Sequence, residues 1–223
     1  MFERVISFVG NNNFNKIKET TVLVVGLGGV GGYAVESLIR SGISNIILID
    51  FDKIDLSNLN RQIITNKFNI GQYKTDVMKE RILSINPECN VSIHNIFLDK
   101  DTINILDNYQ IDYIVDACDS VQAKKLLIDY SLDKDIKLIS SMGTANKIDP
   151  TKLSIIDIRK TSYDPLAKIL RKYVMDKKTN KKVMVVSSTE QPIRTDVLSS
   201  LMFVPATAGM LCSKYIINDI INN

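Results

Sequence analysis

The feature that most constrains the possible folds of this chain is a run of glycines between two apolar segments. Residues 21–25 form a short β-branched run, which predicts a buried parallel strand. Glycines follow in Gly26-Leu27-Gly28-Gly29-Val30-Gly31, with the GxGxxG spacing at positions 26, 28 and 31. Residues 30–40 then carry an apolar helical face, and residues 46–50 read as a second buried strand. The order strand, glycine turn, helix and strand is typical of a dinucleotide-binding unit.

The glycine turn and the acid after it suit a phosphate and a ribose. Glycines let the backbone approach a phosphate, and the helix N-terminus supplies free N–H groups and partial positive charge. Asp50 ends the second strand, where a carboxylate can accept hydrogen bonds from a ribose hydroxyl. Taken alone, these features predict a nucleotide, with NAD as the usual ligand. A tight strand-to-helix turn without any ligand is the structural alternative.

The rest of the chain alternates strands with helices. We predict strands at 91–97, 112–116, 137–140, 153–158 and 182–186, a long loop at 52–70, and helices at 73–84, 101–107, 120–133, 165–175 and 207–221. This alternation predicts an α/β fold with a Rossmann-like, doubly wound, mostly parallel sheet. A chain of 223 residues is expected to form one domain. We divide it into a nucleotide-binding core at 1–145, a substrate-side extension at 146–205 on the same domain and a C-terminal helix at 206–223.

Cysteine content and hydropathy exclude several protein classes. Cys89, Cys118 and Cys212 are odd in number, widely spaced and without any CxxC pair, which argues against a disulfide framework and a four-cysteine zinc site. The single histidine, His94, lies in a strand-like run and is interpreted as a strand residue. No apolar run reaches the roughly 18 residues that span a bilayer, and the N-terminus lacks the apolar stretch of a signal peptide. We therefore expect a cytoplasmic protein without stable membrane association.

Two cations and one acid favour ATP over NAD. A site for phosphoryl or adenylyl transfer needs positive charge near the phosphates, because negative charge builds on the leaving pyrophosphate. Arg61 can hold phosphate oxygens in a bidentate fork, and Lys74 can act as a point charge. Asp119 follows the predicted strand at 112–116, where it could hold the Mg²⁺ that accompanies ATP. The alternative roles are a solvated surface charge for Arg61 or Lys74 and a helix N-cap for Asp119.

Four segments carry a resemblance to a known family. GLGGVG, DFDKIDLSNLNRQ, GQYK and DACDS resemble, in order and spacing, the ubiquitin-activating-enzyme-like superfamily, which includes the ThiF and MoeB adenylyltransferases. The resemblance implies ATP, with Asp50 on the ribose, Gly29 near the phosphates, Asn58, Arg61 and Lys74 on the triphosphate, Asp119 on magnesium, and Gly26, Gly28, Gly31, Asp52 and Gln62 in the same site. It also implies a homodimer in which Arg4 of one subunit reaches the ATP of the other.

The second half of the chain resembles a narrower group. The segments SSMGTANKIDP, KTSYDPLA, SSTEQP and FVP are similar to those of the tRNA threonylcarbamoyladenosine dehydratases. This resemblance implies a tRNA substrate, whose threonine-derived carboxylate is adenylated by ATP and then attacked by an adjacent urea atom, with net loss of one water. A monovalent cation and a sulfur-relay or cysteine-desulfurase partner are further candidates. We also expect the basic stretch at 168–182 to contact tRNA phosphates, with a solvated loop as the alternative.

Three other functions remain open at this point. The first is activation of the C-terminus of a small ubiquitin-like sulfur carrier, although the chain lacks the CxxC pairs and the crossover-loop cysteine usual in such enzymes. The second is a non-enzymatic scaffold, against which the intact Arg61, Lys74 and Asp119 argue. The third is an NAD-dependent dehydrogenase, which a comparison of ATP and NAD binding would separate.

Overall fold

The computed structural model describes residues 1–222, which form a seven-stranded sheet between two layers of helices. In chain order the strands are β1 Thr21–Val25, β2 Asn45–Ile49, β3 Asn90–His94, β4 Tyr113–Asp116, β5 Lys137–Ser141, β6 Leu153–Asp157 and β7 Met184–Ser188. The helices are α1 Glu3–Val9, α2 Asn11–Glu19, α3 Gly31–Arg40, α4 Lys74–Ile85, α5 Val121–Asp133, α6 Pro165–Asp176 and α7 Phe203–Asn222. The predicted alternation of strands and helices is confirmed.

The strand order creates a crevice beside β1. The order across the sheet is β3-β2-β1-β4-β5-β7-β6, and every neighbouring pair is parallel except the edge pair β6 and β7. The chain winds outward in one direction through β2 and β3 and in the other through β4 and β5. Ligands of open α/β sheets bind outside the carboxyl ends of the strands at such a reversal. The predicted doubly wound, mostly parallel sheet is therefore confirmed.

Alternating strand residues feed two apolar cores. Val22 and Val24 of β1 face α2, α3, α4 and α7, whereas Leu23 and Val25 face α5 and α6. All four side chains are almost fully buried. Strands covered on both faces need apolar residues at every position, which explains the uninterrupted hydrophobic run that marked β1 in the sequence. The helix α7 covers the sheet beside α3 and so closes one face of the domain.

Several element boundaries differ from the predictions. The region predicted as a helix at 101–107 contains a 3-10 stretch, Ile103–Asn108, and the strand predicted to reach 97 ends at His94. The C-terminal helix begins four residues earlier than predicted, at Phe203, because Pro205 is tolerated within a first helical turn. Even with this extension, none of the helices in residues 1–222 has the length and apolarity needed to cross a bilayer.

Candidate active site

A cavity of about 320 Å³ opens at the carboxyl edge of the sheet, beside β1, β2 and β4. It contacts the glycine turn after β1, Asp50 after β2 and the segment Ala117–Ser120 after β4. The volume is within the range of about 300–1,000 Å³ usual for small-molecule sites. Of the predicted site residues, ten line this cavity: Gly26, Gly28, Gly29, Asp50, Asp52, Asn58, Arg61, Gln62, Lys74 and Asp119.

The glycine turn is pressed against the turn that follows β4. Gly26 has a φ of 88°, and a Cβ placed on it would lie 2.7 Å from the Ala117 carbonyl oxygen. Gly31 does not line the cavity. A Cβ on Gly31 would lie 1.8 Å from the Gly26 carbonyl oxygen, so this glycine serves the tight turn itself. The structure thus separates the glycines into those that shape the turn and those, such as Gly28, that face the open cavity.

Alanine at two glycines should separate folding from ligand binding. Gly31→Ala is expected to lower the free energy of unfolding by more than about 3 kcal/mol, because the backbone must move to relieve the contact with Gly26. Gly28→Ala should fold normally, since only the Gln62 amide nitrogen lies near its Cβ, at 3.8 Å. That variant should nevertheless bind ATP more weakly, because the methyl group enters the cavity. Urea denaturation and ATP titration check both; equal stability of the two variants would contradict this account.

Asp50 is held in place by the backbone on both sides. Its Oδ2 accepts a hydrogen bond from the Leu27 amide at 2.6 Å, and its Oδ1 accepts one from the Asp52 amide at 2.8 Å. Burial raises the pKa of Asp50, while the Lys74 ammonium and these two amides oppose the rise. Each carboxylate oxygen retains a second lone pair. Asp50 therefore fixes the glycine turn and can still accept a bond from a ligand hydroxyl.

Both predicted cations reach the cavity, and each is oriented by neighbours. The buried Lys74 ammonium lies 2.6 Å from Asp52 Oδ2. The Arg61 Nη1 donates to the Ser57 carbonyl at 2.8 Å and to Asn60 Oδ1 at 2.9 Å. The predicted loop before Lys74 thus contains the 3-10 turn Leu56–Asn58, which brings Arg61 to the cavity. The surface-charge alternative is excluded for Lys74, because its side chain is almost fully buried.

Two amide side chains complete this wall. Asn58 closes a capping box with Asp55, in which the Asp55 amide donates to Asn58 Oδ1 at 3.1 Å. Gln62 is buried, and its Oε1 has no hydrogen-bond partner within residues 1–222. An unpaired buried carbonyl is costly, so such a group beside a cavity is suited to accept a bond from a ligand donor. Asn58 builds the loop, whereas Gln62 is free to contact a ligand.

Asp119 is an exposed carboxylate at the cavity wall and not the cap of α5. The N-cap is Ser120, whose hydroxyl accepts from the Ala123 amide at 3.2 Å, so the N-cap alternative for Asp119 was wrong. No group of three or more His, Cys, Asp or Glu side chains within the described residues could hold a metal ion. A single carboxylate does not form a protein cage for a metal. It fits Mg²⁺, which keeps several waters and binds through one or two carboxylates plus substrate phosphates.

The remaining cavity walls were not predicted as site residues. Phe51 and Phe97 make an edge-to-face pair with ring centroids 5.0 Å apart, beside Ile96 and Leu98. On the opposite side, Thr144, Ala145, Ser200 and Pro205 contribute from the second half of the chain. The signal that could have found them is their position, since 96–98 follow β3 and 144–145 follow β5 at the carboxyl edge. The aromatic pair offers a flat apolar surface for a base.

Some residues singled out in the sequence lie elsewhere. Arg4 is exposed on α1 and does not line the cavity of its own chain. His94 lies in β3 as predicted, with its Nε2 2.8 Å from the Tyr109 hydroxyl. Burial and the Asp116 carboxylate raise the pKa of the Cys118 thiol, which makes this cavity residue a poor nucleophile.

The basic stretch at 168–182 includes lysines that are already paired. Lys177 Nζ lies 2.8 Å from Asp129 Oδ1, and Lys181 Nζ lies 2.7 Å from Asp135 Oδ1. Because Asp135 precedes β5, Lys181 is at the amino edge of the sheet, opposite the cavity. The structure therefore gives no support to the expectation that this end of the stretch contacts a tRNA held at the site.

Comparison with known proteins gives a consistent result across the chain. A family model described as ThiF family matches residues 2–218. The tRNA threonylcarbamoyladenosine dehydratase of Bacillus subtilis is 39% identical over all of this chain and 95% of the relative, and that of Escherichia coli is 35% identical over 92% of this chain and 75% of the relative. A crystal structure of the E. coli enzyme in complex with ATP has a TM-score of 0.94 at 34% identity, over 99% of this chain and 93% of that chain.

Proposed function

The chain belongs to the ThiF family, and on that premise we propose that it is an ATP-dependent tRNA threonylcarbamoyladenosine dehydratase. The observation that carries the proposal is the convergence of the glycine turn, Asp50, Arg61, Lys74 and Asp119 on one cavity. The similarity of this chain to B. subtilis and E. coli enzymes of that name extends over nearly its full length. Adenylation and the identity of the carboxylate are thus supported by different observations.

The reaction has two balanced steps. An oxygen of the threonine-derived carboxylate attacks the α-phosphorus of ATP, and pyrophosphate leaves. An atom of the adjacent urea then attacks the acyl carbon, the bond to AMP breaks, and the urea loses a proton. The carboxylate oxygen leaves on AMP, so the nucleoside loses the elements of one water. Arg61 and Lys74 stabilise the charge that develops on the pyrophosphate in the first step.

Different walls of the cavity suit different parts of ATP. Phe51 and Phe97 offer an apolar surface to the adenine, and Asp50 accepts from the ribose. Gly28 and Gly29 let the backbone approach the phosphates, and Gln62 has a free carbonyl for a ligand donor. Thr144, Ala145 and Ser200 form the substrate side of the cavity. Thr144 and Ala145 precede the substrate-side extension that we predicted at 146–205, so this side begins slightly earlier in the chain. Mg²⁺ bound with ATP would neutralise phosphate charge, with Asp119 as its protein ligand.

Ring closure does not require an enzyme nucleophile. Well-oriented intramolecular reactions reach effective molarities of about 10⁵–10⁸ M, so holding the urea beside the acyl-adenylate suffices. The raised pKa of Cys118 accords with this, because the thiolate needed for attack is disfavoured. The protein binds and orients the acyl-adenylate and excludes water from it.

We further propose the assembly and partners that the family resemblance implies. The enzyme forms a homodimer in which Arg4 of one subunit reaches the ATP of the other, in accord with its exposure on α1. Its substrate is tRNA, its location is the cytoplasm, and a monovalent cation and a sulfur-relay or cysteine-desulfurase protein remain candidate associates. Sedimentation of the Arg4→Glu variant tests the dimer. Mixing Arg4→Ala subunits with Arg61→Ala subunits tests the shared site. A mixed dimer has one site with both arginines, so mixing should restore part of the activity.

Exchange of labelled pyrophosphate into ATP tests the proposed chemistry. The exchange should require tRNA that carries threonylcarbamoyladenosine and should not occur with the same tRNA lacking the modification. A titration with NAD should show no competition with ATP. Exchange that depended instead on a small ubiquitin-like protein would contradict the dehydratase proposal and indicate a sulfur-carrier activator. If no carboxylate substrate supported the exchange, adenylation itself would be contradicted.

A further inference from the structure

A fully buried lysine lies behind the cavity. Lys124 is in the first turn of α5 and has no solvent exposure. Its ammonium donates to Asp116 Oδ1 at 3.0 Å, to the Ser140 hydroxyl at 3.2 Å and to the Ser141 carbonyl at 2.9 Å. These bonds use all three of its protons. The acceptors come from the carboxyl ends of β4 and β5, so one side chain joins the two strands where they reach the site.

Asp116 connects Lys124 to the turn that carries Asp119. Its Oδ2 accepts from the Ser140 hydroxyl at 2.6 Å, and its Oδ1 accepts from the Cys118 amide at 3.3 Å. Asp116 is the last residue of β4, so its carboxylate folds back on the turn that carries Asp119. Asp116 is itself fully buried and cannot reach the solvent in the cavity.

The front of the same turn lies close to the backbone of Gly26 in the glycine turn. A Cβ on Gly26 would lie 2.8 Å from the Cys118 amide nitrogen, which shows how closely the two turns approach. The backbone of the turn is thus held between Gly26 in front and the Asp116 carboxylate behind. Loss of the rear support would let Asp119 move relative to the phosphates, whereas Asp50 is held separately by the Leu27 and Asp52 amides.

Ser141 connects Lys124 to the segment that leads to Thr144 on the substrate side of the cavity. Its carbonyl accepts from Lys124 three residues before Thr144, which lines the cavity. Burying a charged pair is costly, and apolar residues of similar volume commonly replace one without loss of stability. A charged pair is present here nonetheless, and it contacts the segments that lead to both walls, which points to a requirement beyond packing.

We infer that Lys124 is a positioning residue for adenylyl transfer, which through Asp116 and the Ser141 carbonyl holds Asp119 and Thr144 in register across the cavity. This inference rests on the proposed function. ATP binding through Asp50, Gly28 and the aromatic pair does not pass through Lys124. Its loss should therefore lower kcat and raise the Mg²⁺ concentration needed for half-maximal rate. The dissociation constant for ATP measured in EDTA should stay unchanged.

The double variant Lys124→Met/Asp116→Asn tests the inference without leaving a buried charge unpaired. We expect a folded protein in which kcat for tRNA-dependent pyrophosphate exchange falls at least about tenfold, which corresponds to about 1.4 kcal/mol. We also expect a severalfold rise in the half-saturating Mg²⁺ concentration. Ser140→Ala removes one hydroxyl from the network and should shift both quantities in the same direction by less.

The control is the second buried lysine, Lys147, which lies 3.5 Å from Asp164 Oδ2 and donates to the Gly143 carbonyl at 2.7 Å. Lys147→Met/Asp164→Asn removes this pair in the same way; it should lower the melting temperature but leave the Mg²⁺ dependence unchanged, because within the described residues the pair does not contact the turn of Asp119. Wild-type kcat and Mg²⁺ dependence in the folded Lys124→Met/Asp116→Asn variant would overturn the inference. If that variant does not fold, unchanged values in Ser140→Ala overturn it. Failure of exchange in the wild-type enzyme would count against the proposed function instead.

Discussion

Arg61→Ala is expected to reduce the rate of adenylation by at least about 10²–10³-fold, the effect of removing one group that stabilises transition-state charge. The Arg61 guanidinium lies at the cavity, and its hydrogen-bond partners within residues 1–222 are a carbonyl and an amide oxygen, so its charge stays available for phosphate oxygens. Affinity for ATP should change much less than kcat, because negative charge develops on the pyrophosphate in the transition state. Pyrophosphate release under saturating ATP measures this effect.

Arg40→Ala provides the matched control for Arg61→Ala. Arg40 is an exposed arginine of α3 whose partner is Glu36 at 2.7 Å, and it does not line the cavity. Exposed ion pairs contribute about 0–1 kcal/mol, so the control should keep its stability and rate. An Arg61→Ala enzyme with a rate within a factor of two or so of the control would show that Arg61 has no part in catalysis.

Asp119→Ala should produce the second large loss, with a different signature. We expect kcat to fall by roughly 10²-fold or more, by analogy with other transition-state charge contacts, and the requirement for Mg²⁺ to rise. Binding of ATP in EDTA should be as tight as in the wild type or tighter, since without a cation the carboxylate can only repel the phosphates. Stability should hardly change, because the side chain is exposed and Ser120 is the cap of α5.

The matched control for Asp119→Ala is Asp133→Ala at the other end of α5. Asp133 is also exposed, and an acid at a helix C-terminus is not stabilised by the helix dipole. This variant should have the wild-type rate and Mg²⁺ dependence. Loss of ATP binding by Asp119→Ala in EDTA would contradict the assigned role, because it would show that Asp119 contacts the nucleotide directly.

The central sheet and most of the site follow from local sequence pattern. Continuous apolar runs such as residues 21–25 specify strands that are buried on both faces, and the glycines after them specify a tight turn. Parallel strands bring their carboxyl ends to one edge, so Asp50 and Asp119 are close together without being close in sequence. Arg61 and Lys74 were proposed as phosphate contacts from their charge alone, and the family resemblance then supported that role, since the loop that carries them has no periodic pattern.

Other features depend on tertiary contacts that local pattern does not encode. The segment of α2, Asn11–Glu19, is rich in asparagine and has weak helix propensity, yet it is helical because Ile17 is buried against the core. Phe2 and Phe14 pack at 5.4 Å and join α1 to α2. The lysine of an amphipathic helix is ordinarily read as a surface residue, so the buried position of Lys124 was not predicted.

Mass spectrometry of tRNA nucleosides detects the product of the proposed dehydration itself. Purified protein, ATP and Mg²⁺ are incubated with tRNA that carries threonylcarbamoyladenosine, and the nucleosides are then compared with those from an Arg61→Ala control. We expect threonylcarbamoyladenosine to lose the mass of one water in the wild-type reaction, with AMP and pyrophosphate formed in equal amounts, and to stay intact with the variant. Unchanged threonylcarbamoyladenosine in the wild-type reaction, with active protein shown by ATP binding, would contradict the proposed function.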